Sequence, residues 1–255
     1  MLFHLYPDLS VPIDYFAVME FFSPLSFRLH PPFQQVLSEE EKEQLALHLA
    51  RIRVLSADEE KLNENVVMAE KEYERRNVRR EILKVGPVYS GFHFVSLLAQ
   101  LASFRPRSSE MCIIFTNQRL ATYEPPRWHL RTVIFSYPVV LSTTGFREAP
   151  ARPREYYVLK QADPLLSEAY LSSRLDWLQE DDARYTDVAI GYMYQAIFFA
   201  VNPVSFSFCE EPSCALFNSH WQAEMLEAQG KKRLCSAHQE EWGRICQKEG
   251  ARANG

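Results

Sequence analysis

The sequence predicts an α/β fold of the α+β kind, a mixed β-sheet flanked by helices that ends in a helical C-terminal segment. Three observations carry this. Short apolar runs of strand length, LFHLY, FRLH, MCIIF and VVLS, recur along the chain up to Ser142. Between them lie longer stretches whose apolar residues fall three and four apart, the helical spacing. A third run, RYTDVAIGYMYQAIFFAV, is of helix length and apolar nearly all round, which calls for burial. With 255 residues, 47% of them hydrophobic, the chain can bury a full core without staples, so it reads as one domain, 1–255.

In chain order, MLFHLYPDL is a first strand and PIDYFAVMEFFSPL a helix that Pro24 ends. FRLH is a second strand. Ser38 caps a helix over EEEKEQLALHLARIRVL, whose early glutamates suit the positive helix start and whose Leu45, Leu49 and Ile52 share a face. Together these form an N-terminal strand–helix part, 1–57. Residues 58–80, DEEKLNENVVMAEKEYERRNVRR, are dense in charges of both signs and are expected to be a wet linker or solvated helix. GPVYSGFHFVSLLAQLASF is a glycine-marked turn into an amphipathic helix, and MCIIFTN a strand with Cys112 to Phe115 buried. RTVIFSYPVVLSTTGF supplies two strands around Pro138, a residue expected at an edge or bulge because it cannot donate to a ladder. EAPARPREYYVL, stiffened by Pro150 and Pro153, resumes as a strand at Tyr156; SEAYLSSRLDWLQ is helical and precedes the buried helix.

A net charge of −5, from 28 basic and 33 acidic residues, gives no general attraction to nucleic acid. The first residues lack the basic leader and apolar run of a secretory signal, and no stretch approaches the roughly 20 apolar residues that span a bilayer. The chain is therefore expected to be soluble and cytoplasmic. Four of its five cysteines lie in the last fifth of the chain, a distribution that suits metal ligation in a reducing compartment better than a disulfide framework.

Cys209 and Cys214 form one close pair, with four residues between them, and Cys235 and His238 a second, with two. The 20 residues between the pairs include NSHWQAEMLEAQ, a helix-like stretch stopped by Gly230 that can fold back and bring the pairs together. Structural zinc takes four such ligands in a tetrahedron, and a complete Cys₃His set leaves no position for water or substrate. One structural zinc in a C-terminal segment, 205–245, is the expectation. His220, read as mid-helix, and Cys246, read as a helix-packing thiol, are the competing ligands.

The order Cys209, Cys214, Leu216, Cys235, His238 resembles the tail of the archaemetzincin family of zinc metalloproteases. In that family a helical HExxHxxGxxH motif runs directly into a cysteine, followed by a second cysteine, a methionine two positions on and a closing CxxC pair. The resemblance implies a metzincin-like fold and a structural zinc, with His238 in place of the last cysteine and Leu216 in place of the methionine. It also implies a catalytic zinc on three histidines, for which this chain lacks the ligands. Phe208 stands where the third histidine falls, and sliding the helix finds only Tyr192, Met193, Tyr194, Gln195 and Ala196. Metal-assisted hydrolysis needs two imidazoles on one helix face and a glutamate beside them, and Gln195 cannot act as that base.

Polar residues also gather in the middle of the chain. His129, Arg131 and Arg154, with Glu148 and Glu155, are candidates for a pocket that grips a carboxylate or phosphate. In the plainer reading Arg154 and Glu155 pair across the sheet. The preferred function is a non-catalytic interaction module, binding a protein partner or a small anionic ligand, with one structural zinc and a lost protease site. The alternative is a zinc-containing hydrolase with a non-standard site around His129, Glu148 and Glu155. A nucleic-acid binder is disfavoured by the charge.

Overall fold

The computed structural model describes residues 1–80, 86–105 and 109–253. The elements are β1 (Leu2–Tyr6), α1 (Tyr15–Phe21), β2 (Ser26–Leu29), α2 (Phe33–Val36), α3 (Glu39–Arg51), α4 (Met68–Val78), β3 (Val88–Ser90) and α5 (Gly91–Gln100). There follow β4 (Glu110–Thr116), β5 (Arg119–Glu124), β6 (Arg127–Arg131), β7 (Val133–Ile134), β8 (Val139–Ser142) and α6 (Thr143–Glu148). The chain ends with α7 (Arg154–Ala162), α8 (Glu168–Ser172), α9 (Tyr185–Val201), α10 (Gln222–Ala228) and α11 (Ser236–Ala253). The fold is mixed α/β, and it groups into two compact units, Met1–Ser10 with Ser26–Gly145 and Val11–Leu25 with Phe146–Gly255.

The first unit holds both sheets. One has the order β2-β1-β4-β8-β7, parallel except for β7; the other has the order β3-β5-β6. Ile113, Ile114 and Phe115 of β4 and Val139, Val140 and Leu141 of β8 are fully buried, as expected for central parallel strands covered on both faces. Pro138 precedes β8, which lies between β4 and β7 and not at an edge; placed before the first residue, its missing N–H removes nothing from the ladder. Cys112 is half-buried, near the half-buried Glu110 that begins β4, whereas Met111 and Ile113 to Phe115 are buried. Ser38 caps α3 through a full capping box with Glu41, and Leu45 and Leu49 are buried. Asp8, just past β1, is buried where Thr143 Oγ1 (2.5 Å) and Arg80 Nη2 (3.1 Å) donate to it.

The charged stretch 58–80 departs from its expected wetness at one point. Glu74 of α4 is wholly buried and accepts from Arg53 Nε (2.8 Å), Tyr89 Oη (2.9 Å) and Asn77 Nδ2 (2.9 Å), so the buried charge is paired and hydrogen-bonded. A second difference is β3 with the β5–β6 hairpin, which forms a sheet of its own.

The second unit is helical and built on α9, of whose 17 residues 13 are buried. An aromatic cluster ties α1, α9 and α11 together: the rings of Phe22 and Tyr194 lie 5.0 Å apart, those of Tyr194 and Trp242 5.1 Å, and those of Phe22 and Trp242 5.6 Å. Gln222, fully buried at the start of α10, donates to the carbonyls of Phe146 and Arg147 and accepts from Leu178 N. The expected strand at Tyr156 is instead helix α7. Pro153 at its N-cap presets a helix start, and Glu155 in the first turn and Lys160 in the last suit the helix ends, which outweighs the strand preference of Tyr156, Tyr157 and Val158. Among the described residues no helix is long and apolar enough to cross a membrane.

Candidate metal centre

Between α9 and α10 the chain makes a compact loop that brings Cys209 and Cys214 round to face one another. Cys214 N donates to Glu211 O (3.0 Å), which closes the turn, and Cys209 N donates to Leu216 O (3.0 Å). The second pair lies where α11 begins: Cys235 precedes its first residue and His238 sits in its first turn. Ligand atoms of Cys209, Cys214, Cys235 and His238 all lie within 4.8 Å of one another.

The distances suit a tetrahedral ion. Two sulfurs held about 2.3 Å from one zinc at the tetrahedral angle stand about 3.8 Å apart, and a sulfur and an imidazole nitrogen about 3.6 Å. Cys209 Sγ and Cys235 Sγ are 3.8 Å apart, and Cys214 Sγ is 3.7 Å from His238 Nδ1. Cys235 Sγ and His238 Nδ1, at 3.0 Å, sit closer than that figure. Three thiolates and one imidazole are a donor set that zinc takes in structural sites. Cys214 is fully buried, and Cys209, Cys235 and His238 are half-buried.

The electrostatics are those of a site that wants a cation. Burial pushes the Cys214 thiol up to about 12 and raises that of Cys209 as well. For Cys235 burial acts in the same upward sense, but the backbone N–H groups of His238 and Ala237 at the start of α11, with the neighbouring thiols, draw it below the ordinary thiol value. Three sulfurs this close ionise together only when a divalent charge compensates them.

The loop is fastened to the helices by amides. Gln195, buried on α9, donates through Nε2 to Ala215 O (3.0 Å) and Phe217 O (3.2 Å), and Gln229 donates to the same two carbonyls (3.0 and 2.8 Å). Gly191 lets α9 come this close, since a Cβ there would lie 2.3 Å from Gln229 O. The ring of Phe198 meets that of His238 edge-on, at 5.8 Å. This clamp was not anticipated from sequence; its signal was a glycine and a glutamine inside a run that is otherwise apolar or aromatic. His220 is exposed and lies before α10, not within a helix, and its carbonyl accepts from Ala151 N (2.7 Å). Cys246 is a half-buried free thiol on α11. Neither joins the four-residue group.

The remaining candidates lie in separate places. His129 and Arg131 are on β6 in the first unit, on a strand and not in a loop; Arg131 Nε donates to Thr122 Oγ1 (2.6 Å) and its Nη2 pairs with Glu124. Glu148, Arg154 and Glu155 are in the second unit. Glu148 pairs with Arg147 at 3.5 Å, and the Arg154 guanidinium sits over the Trp221 ring at 5.2 Å.

A family model described as "Probable metallopeptidase family (DUF6775)" matches residues 3–245. No curated protein and no solved structure matches the chain.

Proposed function

Since the chain belongs to this probable metallopeptidase family, we propose that it is a binding module in which Cys209, Cys214, Cys235 and His238 hold one structural zinc and the proteolytic site has been lost. Four ligand atoms within 4.8 Å of one another, all supplied by the chain, carry this reading. An ion so enclosed has no open position at which to polarise a carbonyl or activate water, so its contribution is to fasten the tail. Here the ion would pin the start of α11 to the loop that Gln195 and Gln229 hold against α9. The lost site follows from the archaemetzincin resemblance: α9 carries no histidine, and its one uncharged amide, Gln195, is occupied with two carbonyls. The binding role is assigned to a protein partner or a small anionic ligand, in the cytoplasm.

The family's description favours a second reading, a metal-dependent hydrolase; His129 lies in one unit and Glu148 and Glu155 in the other, so its site is not assigned to those three residues. Elemental analysis of the purified full chain together with a peptide-hydrolysis assay decides between them. One zinc per chain and no hydrolysis is the expected result; two zincs, or peptide hydrolysis by the purified chain, would sink the proposal.

A further inference from the structure

The second unit carries on its surface an open, groove-like cavity of about 590 Å³ lined by Arg154, Glu155, Val158, Leu159, Arg174 and Leu175. Four of these come from one face of α7, and two follow the end of α8. The volume lies within the range of small-molecule sites. The walls are held from behind: Tyr156 Oη donates to Glu168 Oε1 (2.6 Å), Arg152 Nη1 to Glu168 Oε2 (2.8 Å), and Lys160 Nζ to the Leu166 carbonyl. The opposite side of α7 is thereby tied to α8, while no residue of α7 is buried and Val158 is 63% exposed.

The charges here are unlike those of the neighbouring arginines. Arg147, Arg152 and Arg184 each meet a carboxylate. Arg154 and Arg174 instead stack on aromatic rings, Trp221 and Tyr170, each at 5.2 Å, and among the described residues neither makes an ion pair. An apolar floor of Val158, Leu159 and Leu175 is thus bordered by two ring-stacked guanidiniums with no carboxylate partner among the described residues and by one carboxylate, Glu155. The local charge is +1, so a monoanion neutralises it and a dianion overshoots. Planar guanidinium groups match a carboxylate's two oxygens.

We propose that this cavity binds a medium-chain monocarboxylate, with the alkyl chain along Val158, Leu159 and Leu175 and the carboxylate held by Arg154 and Arg174. The proposal deepens the binding half of the function given above and does not depend on the metal. Titration of the full chain with sodium decanoate, followed by calorimetry and by tryptophan fluorescence, tests it, because Trp221 lies directly under Arg154. Saturable binding of one decanoate per chain is expected, with 1-decanol binding at least tenfold more weakly. Arg154→Gln and Arg174→Gln should each weaken decanoate by about tenfold, the scale of one charge-assisted hydrogen bond, and Val158→Asp should abolish binding. All three positions are exposed, and unchanged circular dichroism and zinc content in each variant show that the fold is intact. Failure here with one zinc retained overturns the cavity assignment alone; loss of zinc with decanoate binding retained overturns the metal reading alone. Equal affinity for decanol, no saturable binding, or tighter binding of a peptide ending in Leu-Leu-carboxylate would each overturn the proposal.

Discussion

Replacing Cys214 by serine removes the most deeply buried of the four proposed metal ligands, and the structure allows the consequence to be worked through. The thiol is fully buried, 3.7 Å from His238 Nδ1, in a loop held to the rest of the second unit by the proposed metal site, by the four amide bonds from Gln195 and Gln229, and by the backbone bond from Ala215 N to Arg233 O (2.6 Å). Those amide bonds remain in the variant. Each contributes about 1 kcal/mol, so residues 215–217 should stay docked on α9 while the link from the loop to the start of α11 loosens to the backbone bond between Ala215 N and Arg233 O. The metal's own share follows from mass action: a zinc held at about 1,000 times its dissociation constant stabilises the folded state by about 4 kcal/mol. At roughly 3 °C per kcal/mol for a chain of this size, that is a fall in Tm of about 12 °C. The measurement is differential scanning calorimetry of wild type and Cys214→Ser, each with and without a chelator. Chelator should lower the wild-type Tm by this amount and leave the variant unmoved. A variant that still holds one zinc with wild-type affinity, or a wild type whose Tm ignores chelation, would refute the tetrahedral assignment.

Two further predictions concern the elements that present the site. Gln195→Leu keeps the volume of a buried side chain but removes both amide donors to Ala215 and Phe217; urea unfolding should show a loss of about 1–3 kcal/mol, and chelator should strip zinc faster at unchanged stoichiometry. Asp182, before the start of α9, accepts from Arg184 Nε (2.9 Å), Nη2 (2.7 Å) and backbone N (2.9 Å). Burial opposes its ionisation, but these bonds prevail and hold its carboxyl below the ordinary value of 3.8. A depressed folded-state value means stability that is present above the unfolded carboxyl's pKa and lost as pH falls through the folded one. Asp182→Asn should therefore cost about 1–3 kcal/mol at neutral pH, and the gap to wild type in urea midpoints should close in acid below the ordinary carboxylate range.

What the sequence disclosed and what it hid divide along a physical line. Strands β1, β2, β4 and β8 and helices α1, α3 and α9 were legible because burial imposes a period on contiguous residues: Leu45 and Leu49 four apart, Ile113 to Phe115 in an unbroken apolar run. The clustering of Cys209, Cys214, Cys235 and His238 was legible for a different reason. Cysteine and histidine carry their chemistry with them, and two short spacings fix which of them can converge, whatever the rest of the chain does. Helix α7 was misread because Tyr156, Tyr157 and Val158 favour strands, and the residues that favour a helix, Pro153, Glu155 and Lys160, are scattered around them.

The residues that tie these pieces together left no comparable trace. Glu74 sits in a stretch whose average character is wet, and only its meeting with Arg53 and Tyr89, 21 and 15 positions away, makes burial affordable. Gln195 is polar in a helix that must be buried, and its partners are two backbone carbonyls, which have no side-chain identity for a sequence to display. A buried polar residue in a run that is otherwise apolar costs more than 1 kcal/mol unless something satisfies it. Its presence is therefore evidence that a loop or helix end with free carbonyls docks there, even when the sequence cannot say which one. By that reasoning Gln195 and Gly191, four residues apart on one face of α9, mark the surface on which the loop carrying Cys209 and Cys214 lands.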